Sequence, residues 1–256
     1  MKIIHTIPEW YDIEKTLGRG AGGQSVGFVP TMGALHKGHR SLVERSAAEN
    51  SVTVASIFIN PVQFNSSGDL AAYPKTFDRD VELLASAGAA YVFAPEYAEL
   101  YPDGYRYRLS ETVQSRTLCG ASRPGHFDGV LTVVMKLLQI FRPERAYFGE
   151  KDYQQYELVS GMAQAFFLRT DIIPCPIIRE DSGLACSSRN TRLSPEGLRR
   201  APLFYRALAS GRSPGEIRHE LEKDGFRVDY VTETDGRLYG AVYLEDVRLI
   251  DNVKYR

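Results

Sequence analysis

The sequence predicts an α/β protein, a doubly wound parallel sheet with helices on both faces, followed by a small C-terminal α+β unit. Three observations lead there. Short, near-continuous apolar runs rich in β-branched residues, Ser25–Val29 and Val52–Ile59, read as strands buried on both faces. Amphipathic helical stretches separate these and later strands, the alternation that builds parallel sheets. After Asn190 the pattern changes to two capped helices and strictly alternating strands.

In chain order, Val26 to Val29 is the first strand, and Ser41 to Ala47 lies in the helix after it, with Leu42, Val43, Ala47 and Ala48 on one face. Val52–Ile59 is the second strand. Phe77 to Ala87 is a helix, with Val81, Leu84 and Ala85 at i, i+3 and i+4 and Gly88 as its stop. Tyr91–Ala94 is a strand ended by Pro95. His126 to Phe141 is a strongly apolar helix ended near Pro143, and Ala146–Gly149 is the strand after it. Lys151 to Phe167 reads as a helix. Ile172–Ile178 reads as a strand whose Pro174 and Pro176 assign it to an edge or a bulge. Ser194-Pro195-Glu196 opens a helix to about Ala209, and Ser213-Pro214-Gly215-Glu216 a second one to Asp224. Val228–Thr232 and Leu238–Val253 alternate like antiparallel strands around Asp235-Gly236, a hairpin signal. The expected division is 1–187 and 188–256.

At 256 residues, 43% hydrophobic and 25% charged, the chain can bury a full core. A net charge of −1 gives no support to non-specific nucleic-acid binding. No apolar run approaches the roughly 18 residues of a membrane span, and Met1 to His5 has no signal-peptide pattern. Cys119, Cys175 and Cys186 lack metal-ligand spacing, which fits a reducing compartment and a cytoplasmic protein. No metal-ligating cluster is expected.

The chemistry is sought where strands turn into helices. Pro30-Thr31-Met32-Gly33-Ala34-Leu35-His36-Lys37-Gly38-His39 is such a junction. A helix N-terminus offers free N–H groups and the positive end of its dipole, which suits phosphate. Gly33 and Gly38 let backbone approach a ligand, and the imidazoles can bond phosphate oxygens or move protons. Gly18 to Gly23 also satisfies G-x-G-x-x-G, but it precedes a strand and has Gln24 where a P-loop has lysine, so it reads as a connector. Asn60 and Gln63 follow the second strand and point to the same crevice, a place for hydroxyl and carboxylate groups. Gly149-Glu150-Lys151-Asp152 forms another strand-to-helix junction. A lysine at a helix start opposes the dipole, which makes sense if polyphosphate lies there, and Gln155 is one turn on. Arg179 to Asn190 contains a glycine turn, then Ser187, Ser188 and Arg189, a weak phosphate-cradle signal. His126 opens the longest helix and reads as an N-terminal contact or a core histidine, the sequence favouring the second.

The H-x-G-H element resembles the HIGH-type signature of the nucleotidyltransferase and class I aminoacyl-tRNA synthetase superfamily. In combination, Pro30–His39, Ser56–Phe64, Arg123–Val134, Phe148–Gln155 and Arg179–Asn190 resemble the pantoate–β-alanine ligases, with Tyr73-Pro74-Lys75-Thr76 and Arg248 to Asn252 adding to the match. The resemblance runs from about residue 3 to residue 253. It implies a Rossmann-like catalytic domain of nucleotidyltransferase type binding ATP and pantoate, with a small lid domain behind it. It also implies ATP as co-substrate with Mg2+ held by phosphates and water, and condensation of (R)-pantoate with β-alanine through pantoyl adenylate, releasing AMP and pyrophosphate. Residue by residue, it assigns the catalytic roles to His39 (the proton donor), His36 and Lys151. Met32, Gly33, Ala34, Leu35, His36, Lys37, Gly38 and His39 would line ATP, as would Gly149, Glu150, Lys151 and Asp152, Ile178 through its backbone, and Cys186, Ser187, Ser188 and Arg189. Gln63, Gln155, Met32 and Asn60 would hold pantoate and β-alanine. A cytoplasmic homodimer joined through the N-terminal domain is also implied. Two departures stand out: Cys186 replaces the family's usual methionine or leucine, and segments near Ala209–Arg212 and Thr234–Arg237 look trimmed.

Two other readings remain at this point. A related H-x-G-H nucleotidyltransferase would share the histidines but gives no reason for Gln63 and Gln155. A non-catalytic nucleotide-binding protein would tolerate loss of His39, Lys151 or Arg189, and none is lost.

Overall fold

The computed structural model describes residues 1–18 and 23–255. Most of the glycine-rich connector, residues 19–22, lies outside them. Six strands form one parallel sheet: β1 (Lys2–Ile4), β2 (Val26–Thr31), β3 (Val52–Ile57), β4 (Tyr91–Phe93), β5 (Arg145–Gly149) and β6 (Asp171–Cys175), in the order β1-β4-β3-β2-β5-β6. From β2 the chain builds outward to β3 and β4, then returns to β2's other side for β5 and β6. The order therefore reverses between β2 and β5, where doubly wound sheets bind ligands beyond the strands' carboxyl ends. Pairing of β2 with β5 covers only Gly27 with Arg145 and Phe28 with Ala146. Beyond it the two strands part, and Pro30 has no N–H with which to close the gap. A cleft opens at that point.

The alternation of side chains sorts the strands onto two faces. Phe28, Val54 and Phe93 pack on one face with Trp10 and with Leu137, Leu138 and Phe141 of helix His126–Phe141. Phe141 stacks on Phe28 with ring centres 4.8 Å apart and meets Trp10 edge-on at 4.8 Å. Val29, Ala55 and Val92 line the other face with Leu42 and Val43 of helix Lys37–Glu49 and Leu84 of helix Phe77–Ser86.

Several boundaries differ from expectation for identifiable reasons. β1 and helix Ile7–Thr16 were not foreseen, although Thr6 and Glu9 form a reciprocal capping box with Pro8 in the first turn. β6 ends at Cys175 and is the sheet's edge, the only place its prolines fit. The helix expected from Ser194 to Ala209 is two, Pro195–Arg200 and Pro202–Leu208, because Pro202 cannot donate to the preceding turn. Lys151 lies in a 3-10 turn, Glu150–Asp152, ahead of helix Tyr153–Ala165.

The C-terminal unit carries an antiparallel sheet, β7 (Arg227–Thr234), β8 (Arg237–Leu244) and β9 (Val247–Lys254), so the expected run Leu238–Val253 is a hairpin. Asp235 and Gly236 form the β7–β8 turn with φ of 51° and 71°, the positive pair a tight hairpin needs. This unit has its own core of Phe204, Leu208, Ile217, Leu221, Leu238 and Val242. Leu184 already packs there, just ahead of the expected boundary.

Candidate active site

The loop after β2 is shaped by a buried carboxylate. Asp80 is 1% exposed; its oxygens accept the backbone N–H groups of Ala34 and Leu35, each at 2.8 Å, and the Thr76 hydroxyl at 3.1 Å. Gly33 has φ of +79°, and a Cβ there would lie 3.1 Å from Asp80 and 3.3 Å from Ile57, so only glycine follows this path. Thr31 ties the loop to the sheet, donating to the Ser56 carbonyl at 2.6 Å and accepting from Gly33 N–H at 3.2 Å.

The loop delivers His36 to the N-cap of helix Lys37–Glu49, where its Nδ1 accepts the Gly38 N–H at 3.1 Å. A histidine thus does the work usually given to serine or aspartate. The His39 ring lies 4.1 Å from that of His36, centre to centre. Burial first, then His39 and Lys151, lowers the His36 pKa to about 2. Burial dominates at His39 as well, with Lys151 adding to it against the pull of Asp152, and the value falls to about 4. Both imidazoles are therefore neutral at pH 7. The Nδ1 of His39 is buried with no hydrogen-bond partner.

Lys151 faces them from the loop after β5. Its side chain is 18% exposed, with Nζ 3.6 Å from Asp152. Its loop is braced from the C-terminal unit: Asn252 Nδ2 donates to the carbonyls of Glu150 at 2.8 Å and Lys151 at 3.1 Å. Ser187 caps the 3-10 turn Ser188–Arg192 by accepting the Arg189 N–H. Asp69 bridges Arg189 at 3.1 Å and Arg192 at 3.0 Å. The Cys186 N–H donates to the Ile178 carbonyl at 2.9 Å, and burial together with Glu180 pushes its thiol up to about 11.

Behind Met32, which lines a cavity with His36 and His39, stands a group of neutral amides. Gln63 is 7% exposed; its Nε2 donates to Met32 Sδ at 3.2 Å and its Oε1 accepts from Asn60 Nδ2 at 2.9 Å. A thioether is a weak acceptor, so a ligand oxygen can take that N–H readily. Asn60 is the partner that fixes Gln63. It is 1% exposed, its Nδ2 also donates to the Gly129 carbonyl at 3.1 Å, and the Tyr101 hydroxyl donates to its Oδ1 at 3.0 Å. Its amide is therefore engaged on both sides, and Asn60 holds Gln63 in place.

Two adjoining cavities of about 430 Å³ and about 190 Å³ share Lys151, Asp152, Gln155, Ser187 and Arg189 as walls, making one continuous cleft. Met32, His36, Gly38, His39, Gly149, Ile178, Cys186 and Ser188 line the smaller part. Lys37 turns outward to Glu180 at 2.8 Å, and Ala34 and Leu35 are buried beneath the loop. Gly33 and Glu150 stand in the loops behind this lining.

Sequence reasoning missed Asp80 and Arg123. Asp80 falls on the apolar stripe of its helix, one turn before Leu84, and a charge there was the available signal. Arg123 lines the larger cavity; burial and the nearby Arg189 lower its pKa to about 10. A guanidinium so placed is disposed toward an anion.

Comparison with known proteins gives one family across the chain. Residues 2–254 match the model described as pantoate-beta-alanine ligase. A pantothenate synthetase of Bdellovibrio bacteriovorus is 50% identical over 230 residues, 90% of this chain and 92% of that protein. One from Coxiella burnetii is 48% identical over 255 residues, 99% and 97% of the two chains. Among solved structures, a Francisella tularensis pantoate-beta-alanine ligase complexed with beta-gamma ATP and beta-alanine superposes with a TM-score of 0.92 at 39% identity, covering 99% of this chain and 97% of that one.

Proposed function

The chain belongs to the pantoate–β-alanine ligase family, and from that premise we propose how its residues join pantoate to β-alanine with ATP. One observation carries the reading: two neutral imidazoles, Lys151 and Gln155 line one cavity, and its Met32 wall is backed by the amides of Gln63 and Asn60. The imidazoles and Lys151 suit a polyphosphate, and the amides suit a hydroxy acid. A nucleotidyltransferase for phosphorylated substrates would leave the amides without a purpose.

ATP lies along Met32–His39, Gly149–Asp152, the Ile178 backbone and Cys186–Arg189. Magnesium enters as part of the nucleotide substrate, since that hard ion keeps phosphate oxygens and water as ligands. Among the described residues no three His, Cys, Asp or Glu side chains gather as a cage for it. Gln63 and Gln155 hold pantoate with its carboxylate toward the α-phosphorus. A carboxylate oxygen forms the new P–O bond while the bond to the β-phosphate breaks and pyrophosphate leaves. Charge develops on the leaving oxygens, where Lys151 and the histidines stabilise it. Arriving phosphates also reverse the local field, so His39 gains proton affinity when a proton donor is needed. In the second step the free amine of β-alanine attacks the acyl carbon, the C–O bond to AMP breaks, and the nitrogen loses a proton. The 188–256 unit acts as a lid. The reading includes a homodimer in the cytoplasm, supported by the family resemblance. No described helix is long and apolar enough to cross a membrane.

The test is AMP formation with ATP, magnesium, (R)-pantoate and β-alanine, omitting each in turn. AMP that requires all four supports the reading. Pyrophosphate released without pantoate would replace it with the related nucleotidyltransferase.

A further inference from the structure

The seat of Gln63 depends on the first turn of helix His126–Phe141. His126 is 8% exposed; its Nδ1 lies 2.8 Å from the Gln63 carbonyl oxygen and its Nε2 lies 3.1 Å from an Arg123 guanidinium nitrogen. Arginine can only donate, so Nε2 accepts, and the ring proton is on Nδ1, donating to Gln63. Arg123 reaches the same carbonyl at 3.3 Å through its other terminal nitrogen. One turn along, Gly129 has no Cβ, and one added there would lie 2.8 Å from Gln63 Cα. Its carbonyl meanwhile accepts from Asn60, which holds the Gln63 side chain. Backbone and side chain of Gln63 are thus both fixed by this turn.

We infer that His126 is a positioning residue for ligation: it locks the Gln63 backbone from one side and steadies Arg123 in the larger cavity from the other. The substrate amide and the cavity's guanidinium then form one hydrogen-bonded unit. His126 acts through Gln63 and does not touch the reacting atoms. Its neutral state is secure, since burial and then Arg123 lower its pKa to about 3. Protonation would put an N–H on Nε2, facing the guanidinium, and break the link to Arg123.

The inference rests on the assignment of Gln63 to pantoate. Its test is steady-state kinetics of the full chain carrying His126→Leu, His126→Asn, Gln63→Ala, and His126→Leu with Gln63→Ala. Losing one positioning bond is expected to raise the pantoate KM about tenfold in His126→Leu with the ATP KM within about twofold. Asparagine keeps a donor near the Nδ1 position and should recover most of the loss. In the Gln63→Ala background, removing His126 should raise the pantoate KM much less than it does in the wild type, leaving only what passes through Arg123. Equal rises in both KM values, or full additivity in the double variant, would overturn the inference. Should His126→Leu not fold, Gly129→Ala is the second probe: it displaces Gln63 directly and should raise the same KM selectively, and an unselective loss there counts against the proposal. Wild-type protein lacking pantoate-dependent AMP formation would instead sink the functional reading.

Discussion

Two regions of the candidate site are held by opposite means. Around the histidine loop, charges face charges: Arg189 and Arg192 share Asp69, Lys151 leans toward Asp152, and Lys37 pairs with Glu180. The Asp69 and Arg189 side chains are 30% and 26% exposed, so water and salt reach them. Around Gln63, by contrast, Tyr101, Asn60, Gly129 and His126 are linked by neutral hydrogen bonds. The difference teaches how each substrate is met. A carboxylate placeholder such as Asp69 can be displaced by a phosphate offering more charge. A neutral seat has no counter-ion to shed and must already be the right shape.

The sharpest way to break the comparison is His39→Ala. Removing one preorganised transition-state contact should lower kcat by about 10²–10³ while circular dichroism stays native. An unchanged kcat would take His39 out of the chemistry. Next in size is a pH effect common to both regions. His36, His39 and His126 have folded pKa values of about 2, 4 and 3, below the ordinary 6.5. Below that value the unfolded chain takes up protons that the folded one refuses, so stability is intact above pH 6.5 and falls as pH drops toward the folded values. The slope is roughly 1.4 kcal/mol per pH unit for each histidine. Denaturant midpoints at pH 7.5 and 5.5 measure it, and a midpoint that holds or rises at pH 5.5 would contradict the buried, neutral assignment.

Gln155→Ala separates the two substrates directly. Pantoate KM should rise about tenfold and ATP KM much less, since one uniform binding contact is lost. The reverse order would move Gln155 to the phosphate side. The smallest effect is expected from Asp69→Asn, which frees Arg189 and Arg192 for the nucleotide. ATP KM should fall about twofold in low salt and converge with wild type in high salt. A large rise instead would make Asp69 a scaffold for the arginines.

Much of this architecture could be read from local pattern. The apolar runs of β2 and β3, the helix His126–Phe141 with the expected ends, and both histidines at a strand-to-helix junction follow from period and motif. The capping box of Thr6 and Glu9 was equally readable and went unused, so the first strand and helix were missed. Other features lie beyond local pattern because they depend on which loops meet. Asp80 bonds Ala34 and Leu35 across 46 and 45 positions of chain, and His126 bonds Gln63 across 63. The partners of Asn60 were equally out of reach: the Tyr101 hydroxyl and the Gly129 carbonyl bond its amide from 41 and 69 positions away.

Asn252 in β9 has a consequence for how the protein comes into being. It is the residue that clasps the carbonyls of Glu150 and Lys151. A ribosome delivers all six parallel strands well before that asparagine emerges. Through that interval a nascent chain can hold a formed sheet, a formed histidine pair and an unclasped lysine loop. The brace on the lysine loop is therefore among the last contacts the growing chain can make.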